Sequence, residues 1–414
     1  MVILVALLVG WTSVARAENR RKIVMFLDDT PLSQQLGIVN LTGLLIGSKI
    51  EVIHVLSLIN ALAIELPLGG ILLDALDFLL HHPDVLDVFD DLIGFADGIT
   101  AVPADQVSQE EDIYDWGLDR IGVPYMHEDP ELRGTGVKVA ILDSGIVGHP
   151  DLQENIAGGY NAMRGGKNKP YLDGYGHGTH IAGIIAAAEN GQGIVGVAPQ
   201  ARIMAVKVLD DNGFGYLSDV INGLQWADKE GIKLINISLG FFEDSEPLEQ
   251  ATRHLRYNRG VIMVASAGNK GCPPGQDEGA GSDGQDEAPA CDSSQLGVKY
   301  PARYPWVIAV TATDFYDHVP DYCRLGLEVD VAAPGGAQAN EQILSTYYRD
   351  GLYGLGSGTS QAAAYVTGAV TLVLKLNPGL PFDEILDLLK ETASLEVWPG
   401  VGLINVQNLV EALQ

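Results

Sequence analysis

Basic residues are scarce: 25 Lys and Arg stand against 54 Asp and Glu, a formal net charge of -29 over 414 residues. Binding to nucleic acid needs clustered cations to neutralise phosphates, so this balance argues against a polyanion partner. Calcium binding, or solubility in a salty medium, fits the acidic surplus better. Cysteine is nearly absent, with three residues and no metal-ligand spacing among them. Cys272 and Cys291 flank one polar loop. Either they close it in an oxidising compartment and leave Cys323 single, or all three are thiols. Charged residues make up only 19% of the chain and hydrophobic ones 47%, which argues for a packed protein over a disordered one. Long apolar runs are also missing. Ile50 to Ile64 is interrupted by Glu51, His54 and Asn60 and falls short of the ~20 residues that a membrane span needs.

The chain opens with MVILVALLVGWTSVARA, an apolar run followed by small residues at Ala15 and Ala17, the pattern of a cleaved signal peptide over residues 1–17. No Lys or Arg precedes the apolar run, so an intact anchor stands as a second reading. The mature protein is expected to be soluble and secreted, extracellular or periplasmic. Residues 20–91 alternate strand-like and helix-like patterns, with a strand at Lys22 to Leu27, a hairpin over Ile50 to Leu66 and a helix at Ile71 to Leu80. This is a small α+β unit, assigned to residues 18–93. A polar stretch, 94–111, reads as an exposed linker where processing occurs.

From residue 112 to 414, strands alternate with helices. Strands are expected at Val137 to Leu142, Arg202 to Val208, Lys233 to Leu239, Val261 to Ser266 and Trp306 to Thr311. Helices are expected at His177 to Ala188, Leu217 to Lys229, Thr359 to Leu376 and Phe382 to Thr392. The fold class is therefore α/β, three layers around a mostly parallel sheet, with its active site outside the carboxyl ends of the strands. Residues 270–297 form an acidic, Gly-rich interruption too long for an ordinary connection. Its Asp277, Glu278, Asp283, Asp286 and Glu287 read either as a solvated surface or as a second cation site.

Three segments carry chemistry. Asp143 ends the apolar strand VKVAILDSG; alone it reads as readily as a turn residue. His177 lies in DGYGHGTHIAG at a helix start, and His180, three residues on, lacks the further ligand that a zinc site would need. Ser360 lies in GSGTSQAAAYVTGAV at the positive end of a helix, where a developing oxyanion is favoured and where a plain helix cap is equally at home. Together they supply a hydroxyl nucleophile, an imidazole to take its proton and a carboxylate to orient that imidazole. An α/β-hydrolase would need a GxSxG elbow and the order Ser, acid, His, and neither is present. The glycines before His177 lack the GK[ST] of a phosphate loop.

The order Asp, His, Ser, with ILDSGI, GHGTHIAGII and SGTSQAAA, resembles the subtilisin-like serine protease family over nearly all of the chain beyond Trp116. The resemblance implies a serine endopeptidase with Asp143, His177 and Ser360 as its triad. ASAGN is similar to the segment carrying the family's oxyanion-hole amide, here Asn269; losing that donor costs on the order of 10² to 10³ in turnover, a figure established for subtilisins. INISLG implies that Ser238, Leu239 and Gly240, with Ala267 and Gly268, line the substrate cleft, where an extended peptide adds as a strand. LPLGGILLDALDFLLHHPDVLDVFDD resembles the family's propeptide, a ferredoxin-like folding aid and intramolecular inhibitor. The first 111 residues hold 5 of the 25 basic and 15 of the 54 acidic residues, so both pieces are acidic and must dock by shape and apolar contact.

AENGQGIVGVAP is similar to a structural calcium loop of the family, which implies ligands at Asn190, Asp151 and Asp112 and no catalytic cofactor. An Asn in a turn and an Asp at a strand end remain the plain alternative. Gln361, Ala364 and Tyr365 stand where the family usually has Met, Pro and His, so an inactive interaction protein on the same fold is the alternative function. Lys270 and Lys299 lie near the expected primary pocket and suggest acidic residues before the cut, as at Glu110 and Glu111. The expected partners are protein and peptide substrates, acting on a monomer.

Overall fold

RKIVMF, Arg21–Phe26 (β1), is buried along its whole length, and its alternate side chains serve two different cores. A computed structural model describes residues 20–66, 71–96, 99–102, 107, 111–167, 169–270, 297–337, 341–348 and 353–414. After β1 come α1 (Leu32–Leu45), β2 (Glu51–Leu56), β3 (Ala61–Glu65), α2 (Ile71–Leu80) and β4 (Val85–Asp90). The four strands form an antiparallel sheet in the order β2-β3-β1-β4, the ferredoxin-like topology. Val24 and Phe26 point to one face, where Ile38 and Val39 of α1 and Leu72, Leu76 and Leu79 of α2 cover them. Ile23 and Met25 point to the other.

Two short strands follow, β5 (Ile93–Phe95) and β6 (Thr100–Val102), then α3 (Trp116–Arg120), α4 (Val123–Met126), β7 (Lys138–Asp143), β8 (Ile156–Asn161) and α5 (His177–Ala186). Next are β9 (Arg202–Lys207), β10 (Phe214–Tyr216), α6 (Leu217–Lys229), β11 (Leu234–Ile237), α7 (Glu246–Arg259), β12 (Ile262–Ser266) and β13 (Ile308–Thr313). The chain ends with β14 (Val331–Pro334), β15 (Ile343–Thr346), β16 (Tyr353–Gly356), α8 (Thr359–Leu376), α9 (Phe382–Glu391), β17 (Leu395–Trp398), β18 (Val401–Leu403) and α10 (Val406–Glu411).

Nine of these strands make one sheet, β17-β18-β14-β13-β12-β11-β7-β9-β8, parallel except at the β17–β18 edge. Period-two alternation sends Val139 and Ile141 of β7 toward α5 and α8, and Ala140 and Leu142 toward α6. Both faces are thereby covered, as expected of an α/β sheet. From Thr359 to Leu374, α8 is buried on every side, which its run of Ala and Gly permits. Leu217, Val220, Ile221 and Leu224 of α6, with Leu248, Ala251 and Leu255 of α7, also receive Ile23, Met25, Leu56 and Ala63 of the first sheet. The small unit is docked on this helical layer.

Several expectations differ from the structure. α1 and α7 were not legible: Gly37 and Gly43 interrupt α1 and its Leu44 and Leu45 are exposed, while α7 buries only a narrow stripe among charged residues. The linker expected to be exposed at 94–111 begins with paired strand instead: β5 lies against β10 and β6 against β16. Cys323 is a buried thiol that burial pushes up to about 11. The signal peptide at 1–17, Cys272, Cys291, Glu110 and the acidic cluster at 277–287 lie outside the described residues. Among the described residues no helix is long and apolar enough to cross a membrane.

Candidate active site

Strand register gathers the candidate residues at the carboxyl edge of the sheet. β11 lies between β7 and β12, with Ile237 beside Leu142 and Ala265, so one step further sets Ser238 beside Asp143. β12 then runs on through Ala267 and Gly268 to Asn269. Gly268 has φ +99°, a left-handed conformation that suits glycine.

Asp143 is fully buried, and both of its carboxylate oxygens lie 2.9 Å from Nδ1 of His177, the first residue of α5. The Ser144 backbone N–H donates to the same carboxylate at 2.7 Å. Asp173, which sequence reasoning passed over, fixes the start of α5: it accepts from the N–H groups of Tyr175, Gly176 and Thr179 and from the hydroxyls of Ser144 and Thr179, at 2.7–3.0 Å. Its place four residues before the His, ahead of a helix, was the available signal. His180 is a buried core histidine whose Nδ1 has no hydrogen-bond partner among the described residues. Its Nε2 faces the carbonyls of Ile343 and Gly354 at 3.2 and 3.1 Å, and burial, helped by the neighbouring His177, lowers it to about 3.

Ser360, second residue of α8 and 2% exposed, donates from Oγ to the carbonyl of Ser238 at 3.1 Å. The Ser238 hydroxyl donates back to the Ser360 carbonyl at 3.1 Å. The hydroxyl is thus tied to the strand adjacent to the one that ends in Asp143. Thr359 supplies a function that the sequence did not reveal: its N–H and hydroxyl both donate to Oδ1 of Asn269, at 3.1 and 3.0 Å. Two donors on the oxygen end fix the orientation of the Asn269 amide and leave its Nδ2 as the donating end. α5 packs along α8. Imidazole, hydroxyl and amide therefore share one rim.

Residues 134–410 match the subtilase family, peptidase S8. Subtilisin Savinase of Lederbergia lenta is 40% identical over 296 residues, covering 70% of this chain and 97% of that protein. An alkaline protease of Shouchella clausii is 40% identical over 296 residues, covering 70% and 68%. Subtilisin E of Bacillus subtilis (strain 168) is 38% identical over 296 residues, covering 70% of each. The chain belongs to the subtilase family. It is accordingly a serine endopeptidase that acts on protein substrates.

In this subtilase the expected cleft residues meet a strand of the chain itself. Phe95 pairs antiparallel with Gly240, while β5 pairs on its other side with β10, so residues 93–95 form the middle strand of three. Ala96 continues the pairing, donating to the Gly213 carbonyl at 3.1 Å. Further along, β6 pairs with β16, which leads within four residues to Ser360. Leu239 is buried, and the carbonyls of Ala267 and Gly268 accept from the N–H groups of Lys299 and Arg324 at 2.9 Å each. Lys270 does not enter the pocket: it is exposed and its ammonium donates to the Asp321 carbonyl.

The three departures from the family pattern lie along α8, away from the Ser360 hydroxyl. Tyr365 donates to Asp115 at 2.8 Å, Ala364 is core, and the buried Gln361 amide has no hydrogen-bond partner among the described residues.

The three expected metal ligands are also brought together. Asp112 Oδ1 accepts from the N–H groups of Asn190 and Gly191 at 3.1 and 2.8 Å. Asp151 Oδ2 accepts from Ile194 N–H and Tyr353 hydroxyl at 3.0 Å each, while its buried Oδ1 has no hydrogen-bond partner among the described residues. Burial raises the Asp151 carboxyl above its usual range, with Asp112 adding to the rise. An orphaned carboxylate oxygen beside a second carboxylate is a fit for a hard cation. Among the described residues no cluster of three His, Cys, Asp or Glu side chains suits a metal, so carbonyls would complete the shell.

Proposed function

We propose that Asp143, His177 and Ser360 are the catalytic triad of this endopeptidase, with Asn269 Nδ2 and the Ser360 N–H as oxyanion donors. The observation that carries the reading is the symmetrical 2.9 Å contact of Asp143 with His177 Nδ1, set one strand from the carbonyl that holds Ser360 Oγ. Ser360 Oγ attacks the substrate carbonyl carbon and His177 Nε2 takes its proton. Asn269 and the Ser360 N–H receive the oxyanion. The C–N bond then breaks and the amine leaves with the proton from His177. Water attacks the acyl-enzyme, gives a proton to His177, and Ser360 Oγ recovers one on release. Asp143 stays ionised and holds the ring with Nδ1 protonated.

The same reading makes the protein a secreted, monomeric precursor. Residues 1–17 are its leader, 18–93 its inhibitory prodomain, 94–111 the processing linker and 112–414 the catalytic domain. The 93–96 strand in the cleft supports it. An organophosphorus serine reagent should label the self-matured protein on Ser360, with casein hydrolysis lost in proportion. Labelling at another serine, or full hydrolysis by the labelled protein, would overturn the assignment.

Asp112, Asp151 and Asn190 are read as holders of a structural calcium, which would neutralise the buried carboxylate and tie the 112–113 segment to the 190–194 turn. A ligand at 100 times its Kd adds about 2.7 kcal/mol, so chelation of the inhibitor-blocked protein should lower Tm by roughly 5 °C. Asp151→Asn should abolish that difference. Equal midpoints with chelator and with excess calcium would sink the calcium reading.

A further inference from the structure

The cleft contains two buried cationic side chains. Lys299 is 5% exposed and Arg324 is 1% exposed. The Lys299 stem fills the space between the two glycines of the cleft wall: a Cβ on Gly240 would meet Lys299 Cβ at 2.8 Å, and one on Gly268 would meet Lys299 Cγ and Cδ at 2.8 Å. Its ammonium sits 3.9 Å from the centre of the Phe95 ring and 4.8 Å from that of Phe242. Arg324 reaches the same Phe242 ring at 4.9 Å and is anchored by Nε on the Asn269 carbonyl at 2.9 Å. One aromatic ring therefore carries two like charges, on the chain that also supplies the Asn269 amide.

Register says what an occupant presents to them. Phe95 pairs with Gly240 in antiparallel sense, so a peptide continuing that register sets its residue two beyond the Phe95 position opposite Ser238, whose carbonyl holds the Ser360 hydroxyl. Residues two apart in a strand project to the same side. The Phe95 side chain projects onto Lys299, and so does the residue whose carbonyl meets Ser360.

We propose that Lys299 and Arg324 make the primary pocket select an acidic side chain immediately before the scissile bond. A carboxylate entering there is attracted by both cations in surroundings that screen little, whereas a Lys is repelled and an apolar side chain offers them no charge. This inference rests on the serine endopeptidase reading of the same site.

The test uses peptide p-nitroanilides that differ only in the last residue, Asp, Glu, Phe or Lys, with active sites of self-matured protein counted by the organophosphorus reagent. Asp and Glu should exceed Phe in kcat/KM, and Lys should be the poorest. Lys299→Met keeps the stem between the glycines and removes the charge; it should lower kcat/KM for the acidic substrates by about 10²-fold while that for Phe holds or rises. Preference for Phe in the wild type or an unchanged profile in Lys299→Met overturns the proposal. Failure to label or to cut any substrate strikes the catalytic assignment instead, so the two failures are distinguishable.

Discussion

Ser360→Ala should leave the precursor uncut and, once freed of its first unit by an added protease, should lower peptide turnover by roughly 10⁶-fold with KM within a few-fold of the wild type; the magnitude is the one established for the nucleophile of subtilisins. The reason is local. The alanine variant loses the Oγ bond to Ser238 but keeps Thr359 on Asn269, so the oxyanion donors and the paired strands of the cleft remain. Binding persists without a nucleophile, and the residual rate is about 10³ to 10⁴ above water. Steady-state kinetics on a chromogenic peptide read both parameters. A turnover loss below a hundredfold would remove Ser360 from its assigned role.

Asp143→Asn should cost about 10⁴ in kcat at neutral pH, again with KM little changed, a magnitude known for the equivalent change in serine proteases. The carboxylate presents two acceptors to His177 Nδ1 at equal distance. An amide retains the shape but can present its NH2, which turns Nδ1 into the acceptor and places the ring proton on Nε2, where it cannot take one from Ser360. The variant should fold, because the bond from the Ser144 N–H needs only one oxygen. A loss of less than tenfold would mean that the Asp143 contact merely packs the ring.

The strands and helices that carry the chemistry were legible because each pairs a strong pattern with a sharp end. Leu217–Lys229 and Thr359–Leu376 match their expected bounds residue for residue, and β7 ends at the Asp that the apolar run pointed to. Candidates resting on one residue in a motif could be named as well, since Asp143, His177, Asn269 and Ser360 come from four segments whose order alone is informative. Relations between segments were not. Nothing in the spacing of Thr359 and Asn269 announces that one aims the other, and Asp173 looks like any loop acid until its five donors are seen. Lys270 and Lys299 look alike as neighbours of the pocket. Only packing separates the one that turns to the surface from the one whose stem fits between two glycines, and only tertiary structure brings Arg324 beside it.

The four-stranded sheet has one face roofed by its own two helices and the other by α6 and α7. If the proposed processing severs and dislodges this unit, that second face would hold Ile23, Met25, Leu56 and Ala63 against water with no roof of its own. Departure would then act as a ratchet: a copy that has left would be worse equipped to return than it was to stay.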